Sequence, residues 1–141
     1  MFGSDRQQMR RTFFEAWRKA REGLPLEPVE AQIAELIREH PEYHDFFSDP
    51  EIVLEREFTP EDGQTNPFLH LGMHLGIREQ VATNRPAGIA DIHRRLSQRL
   101  GDHVEAEHRM MECLGRAMWE AQRAGQPPDE QAYLECLKKL L

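Results

Sequence analysis

The stretch Asn66-Pro67-Phe68-Leu69-His70-Leu71-Gly72-Met73-His74-Leu75-Gly76-Ile77-Arg78-Glu79-Gln80-Val81-Ala82-Thr83 decides the fold class. Asn-Pro is a helix-start signal, because proline fits the first turn, where its missing N–H has no helical partner to lose. Apolar residues then follow so densely that no broad polar face is left. The spacing predicts a helix that begins after Asn66-Pro67, runs to about Thr83 and is buried centrally among others. With about 100° of rotation per residue, His70 and His74 share a face with Ile77 and Val81 and point toward the core. Gly72 and Gly76 lie on the opposite side, where a second helix can approach closely.

Working outward, the same helical grammar fills most of the chain. Upstream, Pro28 starts a second helix with Val29, Ile33, Leu36 and Ile37 inward, and Pro41 stops it or bends it into the aromatic stretch Tyr43–Phe47. The opening helix has Ser4 as its cap and Gln7 completing a capping box; Met9, Phe13, Ala16, Trp17 and Ala20 form its inner face, and Gly23 ends it. Downstream, a turn at Asn84-Arg85-Pro86 leads to a fourth helix with Ile89, Ile92, Leu96 and Leu100 inward, closed by Gly101. Asp102 with Glu105 caps a long fifth helix. Its stripe is Val104, Met111, Leu114 and Met118, and Gly125 with Pro127-Pro128 terminates it. A last helix from Asp129 to Leu141 packs Tyr133, Leu137 and Leu140. Between Asp49 and Gln64 the period fails; Ile52–Phe58 reads as a brief extended piece inside a connection rich in turn residues. The expectation is an all-α chain, a compact helical bundle of about five to six helices forming one domain over residues 1–141, with an irregular connection between the second and third.

Composition narrows the function classes. Acidic residues outnumber basic ones 25 to 18 over the 141 residues, a formal net charge of −7, which argues against broad attraction to nucleic acid or anionic lipid. No apolar run approaches the roughly 20 residues of a membrane span, and the start lacks a basic segment leading into an apolar one, so no stable membrane insertion and a cytoplasmic location are expected. Cys113 and Cys136 are the only cysteines, and in that setting two reduced thiols are expected, with Cys113 a packed one on the side of its helix away from His108. The first helix carries Arg6, Arg10, Arg11, Arg18, Lys19 and Arg21, read as a solvated face in preference to a docking surface. Neither a glycine-rich phosphate loop nor a Gly-x-Ser-x-Gly elbow is present.

The chemistry-bearing residues are the seven histidines. His70 and His74, one helical turn apart, have the spacing by which a helix presents two nitrogens to one metal ion. On the fifth helix Glu105, His108 and Glu112 fall on one side of the axis, and Glu-x-x-His from facing helices is the device of carboxylate-bridged di-metal bundles. His93, inward on the fourth helix, can add a ligand. His40 and His44 repeat the His-x-x-x-His spacing, but Pro41 between them breaks the helix the pairing needs. Each inward histidine also has an ordinary reading as a core residue satisfied by carbonyls or carboxylates, and Glu105 is fully explained as a capping-box residue.

The segments 66–74, Ile77-Arg78-Glu79-Gln80, Arg85-Pro86-Ala87-Gly88-Ile89 and Glu105-Ala106-Glu107-His108-Arg109-Met110-Met111-Glu112-Cys113-Leu114, with the start Met1-Phe2-Gly3-Ser4-Asp5-Arg6, together resemble a small proteobacterial family catalogued only as a domain of unknown function. The resemblance covers essentially the whole chain. It implies a bacterial cytosolic protein and transfers no activity.

The sequence thus favours His70 and His74 facing His108 and Glu112 around one or two transition-metal ions (zinc, iron, nickel or manganese), with Glu105 and His93 as reserve ligands. The rival is a metal-free helical interaction protein, a homodimer with a buried His/Glu polar network. A metal-dependent hydrolase or redox enzyme is a third class, for which no substrate-pocket signature is present.

Overall fold

Proline and capping chemistry place the helix boundaries. The computed structural model describes the backbone of residues 2–48 and 66–141, and the side chains from Gln7 onward within them. Six α-helices are present there: α1 (Phe2–Arg21), α2 (Pro28–Arg38), α3 (Pro67–Thr83), α4 (Ile89–Leu100), α5 (His103–Ala124) and α6 (Glu130–Lys138), with 3₁₀ turns at Pro41–Tyr43 and Phe46–Ser48. No strand occurs among the described residues, and the expected extended piece at Ile52–Phe58 lies outside them. The all-helical expectation holds, as does the irregular chain after the second helix. None of the described helices is long and apolar enough to cross a membrane.

The chain divides into two compact units, residues 1–72 and 73–141, with the boundary inside α3. In the first, α1 ends at Arg21 and the turn after it holds Gly23, whose positive φ of 71° suits a residue without Cβ. Pro28 opens α2, and the Glu27 N–H donates to Glu30 Oε1 at 2.9 Å. Glu30 is itself buried and ion-paired to Lys19 at 2.9 Å. Phe13, Phe14, Phe47 and Phe68 form an aromatic core, with ring centroids 5.4–6.2 Å apart and mostly edge to face. Ile33, Leu36 and Ile37 join it.

In the second unit Asp102 caps α5 by accepting from the Val104 N–H at 2.9 Å, and Asp129 caps α6 by accepting from Ala132 at 3.1 Å. Asn84, at φ 52°, closes the α3–α4 turn by accepting from the Gly88 and Ala90 N–H groups. The core is Ile77, Ile89, Ile92, Leu96, Ala106, Met110, Met111, Cys113, Tyr133 and Leu137. The Tyr133 hydroxyl donates to Gln80 Oε1 at 2.7 Å, and burial pushes it up to about 12 against the lowering effect of that bond.

Several expected positions differ. Helix α1 begins at Phe2, ahead of Ser4, so Ser4 is inside the helix and is not its cap. Met9 is exposed while Arg10 takes the inward place with its guanidinium 4.7 Å from the Phe68 ring, so the basic face is not wholly solvated. Val29 is exposed because Glu30 is the residue that turns inward in that first turn. On α5 the buried set is Ala106, Glu107, Met110, Met111 and Cys113, which leaves Met118 exposed and rotates the stripe away from Val104 and Met118. Leu69 is also exposed, so α3 is not covered on every side. Nothing described comes within 4 Å of a Cβ built on Gly72 or Gly76, so among the described residues no helix makes the close approach expected there. Finally, Cys113 and Cys136 form a disulfide, with Cα atoms 5.8 Å apart, where two thiols were expected. The α5–α6 turn brings two cysteines separated by 23 residues face to face.

Candidate metal centre

In the first unit the break at Pro41 positions His40. Helix α2 ends at Arg38, and His40, buried at the start of the 3₁₀ turn, folds its ring back so that Nδ1 donates to the Leu36 carbonyl at 2.7 Å. Its ring meets that of His70 at 5.2 Å, edge to face, with Tyr43 beside both. His44 goes elsewhere: its Nε2 donates to the Ile37 carbonyl at 2.9 Å and its ring lies 4.8 Å from Trp17. The His40/His44 spacing therefore makes no ligand pair.

In the second unit His74 is fully buried, and its ring meets that of His108 at 4.8 Å. His74 Nδ1 donates to Glu107 Oε1 at 2.8 Å. Arg78, one turn further along α3, clamps the same carboxylate with Nε at 2.9 Å from Oε2 and Nη2 at 3.1 Å from Oε1. Burial alone would raise the Glu107 carboxyl. The bonds from His74 and Arg78 and the nearby His93 imidazole outweigh it and hold the group far below the ordinary carboxylate range.

Of the residues singled out from sequence, His70 is paired with His40 in one unit and His74 with His108 in the other, both pairs anchored on the single helix α3. Glu105 is exposed and supports His108, whose Nδ1 lies 3.4 Å from its Oε2. His93 Nε2 stands 3.8 Å from Glu107 Oε2, beyond hydrogen-bond distance and facing the carboxylate. Glu112 is exposed. Three residues of these clusters are not among the sequence's candidate ligands: Glu107, Arg78 and His40. A glutamate one residue from His108 carries no periodic signal of burial, and its Arg78 partner is 29 residues away.

These bonds fix the tautomers. A carbonyl or an ionised carboxylate only accepts, so His40 and His74 carry hydrogen on Nδ1. Glu105 favours the same tautomer in His108. Oriented imidazoles whose second nitrogen is held by a carbonyl or carboxylate are the usual support of a metal centre, and the donor chemistry fits one.

The chain matches, over residues 5–139, the family described as domain of unknown function DUF1841, and belongs to it. The match spans both units. No curated protein matched the chain, and no solved structure did either.

Proposed function

We propose that this member of the DUF1841 family binds a transition-metal ion, with His74 of α3 and His108 of α5 as its imidazole ligands in the second unit. The observation that carries the reading is ring orientation: His74 turns Nδ1 toward Glu107 and His108 turns Nδ1 toward Glu105, with the two rings 4.8 Å apart. Helix α3 supplies the remaining link. His70 stands one turn before His74 on it, the i, i+4 spacing that presents two nitrogens on one helix face.

In this reading the carboxylates act behind the imidazoles. Glu107 and Glu105 orient rings and offset the charge of the ion, while Glu112 and His93 are not ligands. An all-imidazole set favours zinc, iron or nickel over manganese, which prefers oxygen. His70, His74 and His108 would leave a tetrahedral ion one open position for water or another ligand, and an ion with a six-ligand preference would retain more. The homodimeric, metal-free network is the second reading. It is favoured by the way Arg78 and His74 already satisfy Glu107, and by exposed Leu69, Met118 and Trp119.

The separating experiment is reconstitution of the native chain, His108→Ala and His74→Ala with each of the three ions. Ligation predicts stoichiometric uptake by the native chain and loss from both variants. Uptake unaffected by His108→Ala, with the fold intact by circular dichroism, would overturn the assignment.

A further inference from the structure

Away from the histidines, the C-terminal half of α5 and α6 enclose a groove of about 520 Å³ with the Cys113–Cys136 disulfide in its wall. That volume is in the range of small-molecule sites. The two sulfurs are not equivalent: Cys113 is 3 % exposed and belongs to the core, whereas Cys136 is only partly buried. Arg116 and Lys139 line the groove with Glu120, Asp129 and Glu135, so both signs of charge are present with one carboxylate in excess.

The helix that bears Cys136 has anchors besides the disulfide. Leu137 is fully buried, Tyr133 bonds to Gln80, and Arg99 Nη1 donates to the Leu141 carbonyl at 2.9 Å. A nine-residue helix is too short to persist alone in water, but these contacts hold α6 when the sulfurs part. An open form that keeps these contacts keeps its thiols close enough to rejoin.

We propose that Cys113–Cys136 is a reversible redox site, opened through this groove by a low-molecular-weight thiol. The thiolate attacks Cys136 Sγ, a new S–S bond forms, and the old bond's electron pair leaves on Cys113 Sγ, which takes up a proton. A second thiol attacks the mixed disulfide, releasing the Cys136 thiol and a small-molecule disulfide. Two equivalents of thiol are oxidised as the protein disulfide is reduced, and a small-molecule disulfide drives the reverse.

The test is a glutathione redox series on the full-length native chain, read by mass spectrometry and circular dichroism, with Cys113→Ser and Cys136→Ser alongside. Reversible interconversion with helicity retained is expected. Oxidised glutathione should label Cys136 in the first variant about tenfold faster than Cys113 in the second, because a thiol buried in apolar surroundings is inert. Mapping the mixed disulfide quenched from the native chain gives the same answer should a variant misfold. The proposal is overturned if the disulfide resists glutathione until the chain unfolds, if no disulfide forms under oxidised glutathione, or if the label falls chiefly on Cys113.

Discussion

Glu107 shows how much a single residue can organise. It is 2 % exposed, bonded to His74 and clamped by Arg78, and it remains ionised only because those partners outweigh burial. Since its folded pKa lies below the unfolded value of about 4.3, the ionised carboxylate contributes stability that is complete above that value and lost as pH falls toward the folded one. Denaturant midpoints should accordingly drop between pH 5 and pH 3, and Glu107→Gln should flatten that dependence while costing about 1–3 kcal/mol at neutral pH. If His74 ligates metal, the same substitution should weaken binding by about 10–100-fold. An unchanged pH profile in Glu107→Gln would show that another carboxylate governs acid stability. Glu107 could not be read from the sequence because a glutamate predicts exposure, and only its remote partners make burial affordable. His40 was set aside for the opposite reason: Pro41 does break the helix, and the break is what lets the ring turn back onto Leu36.

At the scale of elements, boundaries were more legible than faces. Asn66-Pro67, Gly101, Asp102 and Gly125 act through local backbone chemistry, and each marks a helix end as expected. The inward face of α5 depends on what packs against it, and the apolar residues Val104, Met110, Met111, Leu114 and Met118 allow two phases. The structure selects the one that buries Met110 and Cys113 and leaves Met118 and Trp119 exposed. Met110→Ala should therefore destabilise by about 2–5 kcal/mol, and Met118→Ala by no more than about 0.5 kcal/mol. Urea unfolding of the two variants checks this, and a reversed order would restore the phase read from periodicity. The disulfide was hidden by the same uncertainty, since the phase of two helices must be known before their cysteines can be seen to face each other.

For the molecule as a whole, the claim is that His74 and His108, with His70 one turn away on α3, serve one metal ion. Binding to the folded state alone stabilises it by about 2.7 kcal/mol when free ion exceeds Kd a hundredfold. Acidification should release the ion as protons compete for the nitrogen lone pairs. The most direct measurement is elemental analysis of the native chain purified without a metal-affinity tag, paired with thermal unfolding before and after a chelator. The account predicts about one equivalent of zinc, iron or nickel per chain, together with a lower Tm once it is stripped. A chain with no stoichiometric metal even after reconstitution, and with a Tm indifferent to the chelator, would contradict it.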